Sequence, residues 1–208
     1  MARTPSTMIL ELGAQAPAFS LPDYSPGADP SHPVSLDQVA SPANKTRPFL
    51  IMFLCNHCPF VVHVRGEFAR LERDYGHRIS IVAINSNSVE THPQDGPDSM
   101  RELALELGWR FPFLLDATQE VAKAYHAACT PDFFLFGPVV RERRRLAYRG
   151  QLDASRPGNT EPVTGSDLRA AIDAVLANRD VAADQRPSIG CNIKWAPGNE
   201  PDYFAGGR

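Results

Sequence analysis

No window of this 208-residue chain approaches the ~20 consecutive apolar residues that a membrane helix needs. The first twelve residues, Met-Ala-Arg-Thr-Pro-Ser-Thr-Met-Ile-Leu-Glu-Leu, lack the long apolar stretch of a secretory leader, so a cytoplasmic location is expected. Charge of one sign is also missing. The net charge is −3, which gives no reason to expect a nucleic-acid or membrane partner. The one dense basic stretch, Arg141 to Arg145, is short and interrupted by Glu142. It reads as a solvated hairpin tip, because holding a polyanion takes several phosphate contacts. There are no internal repeats. Cysteine is scarce, with four residues, and in a reducing compartment four cysteines do not make a disulfide framework. They are structural thiols, metal ligands or redox groups, and their spacing decides among these.

With 43% apolar and 22% charged residues, the chain has the material for a core. Its length suits one domain over residues 1–208, with a core over about 12–177 and a polar tail over 178–208. Two short extended segments, Ala18 to Leu21 and Pro33 to Leu36, flank a turn-rich stretch and suggest an irregular N-terminal hairpin. Phe49 to Leu54 is uninterrupted apolar sequence, as expected of a strand buried on both faces. Val61, Val64, Phe68, Leu71 and Tyr75 step by three and four, the spacing of an amphipathic helix, and Gly76 closes it. Ile79 to Ile84 is a second buried strand. Strand, helix and strand in that order imply parallel pairing through a right-handed crossover.

Further on, a helix is expected over Asp98 to Leu107 and a strand over Phe113 to Leu115. Another helix is expected over Thr118 to His126, with Thr118 or Asp116 near its start. Phe133 to Phe136 and Leu146 to Arg149 read as antiparallel strands joined by Gly137-Pro138 and the arginine run. A closing helix follows over Asp167 to Ala177, with Ser166 as its cap. The tail is expected to lie over the body, pinned by Ile193, Trp195, Tyr203 and Phe204. The fold class is α/β: a central mixed β-sheet flanked by helices, with an N-terminal hairpin and a C-terminal tail extension.

The chemistry points to Cys55-Asn56-His57-Cys58. A C-x-x-C motif inside a βαβ unit reads as a redox-active dithiol. Cys55 is expected to open the helix, where unpaired N–H groups and the helix dipole lower a thiol pKa and make the nucleophilic thiolate. Cys58, one turn on, would resolve the mixed disulfide. His57 is placed to donate to the Cys55 thiolate, which tunes the couple. Other readings stand beside this one. The two cysteines serve as plain small hydrophobes in one, and as half of a zinc site in another, although a second C-x-x-C pair is lacking. Haem attachment is excluded, because Pro59 and not histidine follows Cys58. Pro131 precedes a strand, and its bond to Thr130 is either cis or an ordinary trans bond at a strand start. Cys129 is expected to be structural; Cys191 is expected to be a buried tail anchor, with a second disulfide or an electron relay as the alternative if the tail folds back. His63 is expected to be a packing histidine. Asp153 and Arg156 either line the site or hold their own loop.

Thr130-Pro131 after the dithiol resembles the thioredoxin superfamily. The resemblance implies that Pro131 is the cis-proline packed against the sulfurs. It also makes Thr130 the residue whose backbone docks substrate, with Asn56 and His57 beside it. Gly13 to Asp23 (Gly-Ala-Gln-Ala-Pro-Ala-Phe-Ser-Leu-Pro-Asp) looks like the opening of the redoxin and alkyl-hydroperoxide-reductase group. Five further stretches resemble the peroxiredoxin-like thioredoxin family of bacteria: Cys55 to Val61, Ala83 to Asn87, Ala128 to Phe136, Tyr148 to Asn159 and Ile189 to Trp195. The resemblance runs from about Leu12 to Phe204. It implies a thioredoxin-like fold and thiol–disulfide oxidoreductase activity, with no metal or other cofactor. The implied partners are a protein or small-molecule disulfide and a thiol electron donor.

A peroxiredoxin carries Pro-x-x-x-Thr/Ser-x-x-Cys. Counting back from Cys58 gives Ile51 and Cys55, and from Cys55 gives Pro48 and Met52. Neither cysteine has the hydroxyl, so disulfide exchange is expected over peroxide reduction. Peroxidase and a non-catalytic binding module are the alternatives.

Overall fold

The computed structural model describes residues 3–40, 47–140 and 143–204. Its centre is a five-stranded mixed sheet. The strands are β4 (Phe49–Phe53), β5 (Ser80–Asn85), β6 (Phe113–Leu115), β8 (Asp132–Val140) and β9 (Arg143–Gly150), in the order β6-β5-β4-β8-β9. β4, β5 and β6 run parallel, while β8 is antiparallel to β4 and to β9. The period-two alternation of a strand sorts β4 between two cores. Leu50 and Met52, with Leu54 beyond the strand end, face one cluster; Phe49, Ile51 and Phe53 face the other. All six are fully buried, which is why this stretch shows no polar alternation.

The first cluster is covered by α2 (Pro59–Tyr75), α3 (Pro97–Leu107) and α5 (Ser166–Leu176). Phe68 of α2 lies at its centre against Trp109 and Phe133. The second cluster is closed by α4 (Glu120–Ala124), by the N-terminal segment through Phe19 and Leu21, and by the tail through Ile193 and Trp195. Tyr203 and Phe204 pack against it as well. The expected N-terminal hairpin is present as β2 (Ser20–Leu21) paired antiparallel with β3 (Val34–Ser35), after which a capping box at Ser35 and Gln38 starts the short α1 (Leu36–Val39).

Several details depart from the sequence expectation. Gly137 and Pro138 do not join two strands but lie inside β8, where the register with β9 shifts between Phe136 and Val139. β4 reaches only to Phe136, so the proline falls where β8 is flanked on one side, and a bulge absorbs its missing N–H. Residues 141–142 of the basic run lie outside the described residues. The α4 helix begins at Glu120, after Gln119 with φ of 65°, and Asp116 accepts from the Ala122 N–H at 2.9 Å without being the cap. Gly165, with φ of 67°, takes the cap position expected of Ser166.

The tail holds a strand that its polar composition hides. β10 (Ile189–Asn192) pairs on one side with β1 (Thr4–Pro5) and on the other with β7 (Cys129–Thr130), making a small three-stranded antiparallel sheet. No described helix is long and apolar enough to cross a membrane.

Candidate functional site

After β4 the chain runs Leu54-Cys55-Asn56-His57 through a bend before α2 begins at Pro59. Cys58, not Cys55, is the N-cap residue. The expectation that Cys55 opens the helix is therefore not met, and the helix N-terminus acts on the other sulfur. The physical reason is Pro59. A proline is favoured in a first turn, and it biases the residue before it toward extended backbone, which is what Cys58 adopts at φ −65° and ψ 124°.

The electrostatics follow from this placement. Hydrogen bonds from the Cys191 and Cys55 thiols, aided by the Val61 N–H, hold the Cys58 pKa far below the usual thiol value against the cost of burial. Cys55 is pushed the other way. It donates to Cys58, it is buried, and the Asp95 carboxylate opposes a second negative charge nearby. Cys191 is raised as well, first by donating to Cys58 and then by burial. Negative charge in the reduced site is therefore favoured on Cys58 over Cys55 and Cys191.

The Thr130–Pro131 peptide bond is cis. Thr130 sits against both sulfurs, its Oγ1 3.2 Å from Cys55 Sγ and its carbonyl oxygen 3.2 Å from Cys58 Sγ, which donates to it when protonated. The edge that the resemblance assigns to a docked substrate is occupied by the chain's own tail, since Cys191 stands opposite Thr130 and Asn192 opposite Cys129. The pairing is close: a Cβ on Gly190 would fall 2.1 Å from the Thr130 carbonyl oxygen, so only glycine fits there.

Asp95 was not singled out by the sequence. It lies in a short 3₁₀ turn (Pro93–Asp95) with no exposed surface, and it gathers the loop before the helix. Its Oδ1 accepts from the Asn56 N–H at 2.8 Å, its Oδ2 accepts from Asn87 Nδ2 at 2.8 Å, and its carbonyl oxygen accepts from Asn85 Nδ2. His57 Nδ1 approaches Asp95 Oδ2 to 2.7 Å, without the alignment of a hydrogen bond. His92 stacks on the His57 ring at 5.4 Å, and burial and the neighbouring His57 lower the His92 pKa. An aspartate in a turn carries no chemical signature of its own, and 37 residues separate it from Cys58. The only sequence signal was the density of Asn, His and Asp over 85–97. The donor atoms of Cys55, His57 and Asp95 lie within 4.8 Å of one another, a set with the composition of a metal site. Both Asp95 oxygens already hold protein partners.

The remaining candidates are structural. Asp153 accepts from the Ser155, Thr164 and Gly165 N–H groups, and Arg156 donates to the Asp153 and Ser155 carbonyls, so both hold their own loop. His63 pairs with Ser155 Oγ at 2.7 Å. Cys129 is buried, and its pKa is raised by burial and by the neighbouring Asp132. Asp132 is itself pushed up to about 7 by burial, with a Ser6 hydroxyl donating to it at 2.7 Å.

A mixed sheet flanked by helices, with a C-x-x-C pair at a helix N-terminus beside a cis-proline, defines a thioredoxin-like protein of the peroxiredoxin-like kind. The chain belongs to the AhpC/TSA family, whose model matches residues 12–143. It is similar to the crystal structure of an uncharacterized conserved protein from Geobacillus kaustophilus, with 49% identity, a TM-score of 0.85, and coverage of 95% of this chain and 98% of that one. A hypothetical protein from Sinorhizobium meliloti 1021 is similar at 45% identity and a TM-score of 0.84, covering 94% and 100%. A putative thiol:disulfide interchange protein DsbE from Chlorobium tepidum shares the fold at 19% identity and a TM-score of 0.54, covering 80% and 99%. No curated protein matches the chain. Family and fold together assign thiol-based redox chemistry.

Proposed function

We propose that the protein is a thiol–disulfide oxidoreductase whose redox pair is Cys55 and Cys58, acting in the cytoplasm on a protein or small-molecule disulfide. The observation that carries this reading is the placement of both sulfurs against Thr130 at the start of α2, Cys55 Sγ 3.2 Å from its Oγ1 and Cys58 Sγ 3.2 Å from its carbonyl oxygen. Cys55 is the sulfur that meets substrate. It lies on the side of the half-exposed His57, while Cys58 faces inward to Thr130 and Cys191. Because Cys55 rests as a thiol, its activation falls to a base, and His57, held by Asp95, is the base at hand.

The reaction balances without a cofactor. Cys55 Sγ attacks one sulfur of the substrate disulfide, its proton passes to His57, and the first product leaves as a thiolate. The preformed Cys58 thiolate then attacks Cys55 Sγ. The mixed disulfide breaks, the second product leaves as a thiolate that takes the proton, and a Cys55–Cys58 disulfide remains. Two electrons have moved to substrate, and a thiol donor restores the dithiol. A low Cys58 pKa favours the reduced form, which makes the couple more oxidising.

The test is trapping. Cys58→Ser should accumulate a mixed disulfide on Cys55 with a disulfide substrate, and Cys55→Ser should slow catalytic disulfide reduction at least tenfold. Full reductase activity in Cys55→Ser would sink the proposal.

A further inference from the structure

We propose that Cys191 is a third redox residue, which exchanges with the dithiol by forming a Cys58–Cys191 disulfide. The inference rests on the reading of Cys55 and Cys58 as the redox pair, and it replaces the expectation of a buried tail anchor with a chemical role.

Three observations carry it. The first is arrangement: the three buried cysteines gather around Thr130, with Cys55 Sγ 3.2 Å from its Oγ1, Cys191 opposite it across the strand pair, and Cys58 Sγ 3.2 Å from its carbonyl oxygen. A sulfur so placed can trade one partner for the other with little movement. The second is shared support from the helix. The Val61 N–H points at Cys58 and the neighbouring Phe60 N–H points at Cys191, so the first turn of α2 stabilises negative charge on either. An inert anchor would not need such a donor.

The third is the way the tail is built around this one side chain. Gly190 lets the strand close onto the Thr130 carbonyl. On one side, Ser188 donates to the Gly150 carbonyl at 2.9 Å and its own carbonyl accepts from the Ser6 N–H at 2.8 Å. On the other, the Lys194 N–H donates to Asn87 Oδ1 at 2.8 Å, and its carbonyl accepts from the Ser88 N–H and from Gln119 Nε2. Cys191 is thereby held at 3% exposure, as hidden as Cys55 at 1% and Cys58 at 0%. Orientation of this kind is what makes an intramolecular exchange fast.

The step is an isomerisation. Once substrate has oxidised the pair, the Cys191 thiolate attacks Cys58 Sγ. The Cys58–Cys191 bond forms, the Cys55–Cys58 bond breaks, and Cys55 leaves as a thiolate that takes up the proton Cys191 gave up. No electrons enter or leave. The oxidising equivalent moves from the substrate side of the site to the tail, and Cys55 regains its thiol.

The experiment is disulfide mapping of the full-length protein after oxidation by glutathione disulfide, with acid quenching and digestion under non-reducing conditions. Wild type should yield both a Cys55–Cys58 and a Cys58–Cys191 linkage. Cys55→Ser should close the Cys58–Cys191 bridge within the molecule, and Cys191→Ser should close only Cys55–Cys58. The inference is overturned if Cys191→Ser closes its bridge while Cys55→Ser gives only glutathione adducts or intermolecular dimers and wild type never shows a Cys58–Cys191 peptide. That result leaves the dithiol reading standing. A wild type that shows Cys58–Cys191 and never Cys55–Cys58 supports the third cysteine and removes the dithiol reading instead.

Discussion

Cys191 of the tail strand stands directly opposite Thr130, the residue before the cis-proline. The segment farthest along the described sheet structure thus lies on the most chemically loaded edge of the molecule. Replacing Gly190 by alanine would force a Cβ into the Thr130 carbonyl. Gly190→Ala should lift β10 from β7 and destabilise the protein by about 1–3 kcal/mol, the usual cost of overpacking. The check is urea denaturation together with alkylation of the native protein, in which Cys55 should react faster than in wild type.

Asp95 has two opposed effects on Cys55. Its charge resists a thiolate there, and its contact holds His57 in place. Asp95→Asn should therefore lower the pH at which Cys55 is alkylated and at the same time slow disulfide reduction. A variant with both unchanged would place Asp95 in a loop-holding role alone.

Asp132 gives a pH dependence to stability. Its carboxyl is neutral up to about pH 7 in the folded protein but ionises near 4 when unfolded. Between those values the native state binds the extra proton, so stability should fall as pH rises from about 4 through 7 and then level off. A shift of about three units corresponds to on the order of 4 kcal/mol. Asp132→Asn keeps the acceptor for Ser6 and removes the charge, so it should flatten this slope. Denaturation midpoints at pH 5 and pH 8 decide the matter.

Neither cysteine has a threonine or serine three residues before it, and Met52, in the place a hydroxyl would take for Cys55, is fully buried in the core. Hydrogen peroxide should be consumed at a rate near that of an ordinary thiolate. Stopped-flow rates far above that of cysteine would make peroxide the substrate class, in keeping with the family.

Cys55, His57 and Asp95 make a donor set that elemental analysis of purified protein tests directly. With both carboxylate oxygens of Asp95 already engaged, added zinc should not raise the melting temperature.

The helices and sheet strands were legible because their signals are local. Phe49 to Phe53 is apolar throughout since both its faces are covered, and Val61 to Tyr75 repeats at the helical period since one face is. That Cys55 and Cys58 lie in one neighbourhood was legible from their three-residue spacing, and Thr130 contacts both. Which of them caps the helix is not recorded locally, because that depends on where the bend before Pro59 ends, and the cap is Cys58 rather than Cys55. Gly137-Pro138 lies within a strand rather than in the expected turn because the same dipeptide suits a bulge where β8 loses its β4 neighbour.

The sequence by itself determined the layered α/β body and a pair of sulfurs at the junction of a strand and a helix. Near-neighbour spacing and burial pattern are enough for that. Only the tertiary structure decided that Asp95 stands behind His57, that negative charge is favoured on Cys58, and that Cys191 lies opposite Thr130. Those facts depend on contacts between segments 38 to 133 residues apart, and no local periodicity records which distant segments the folded chain brings together.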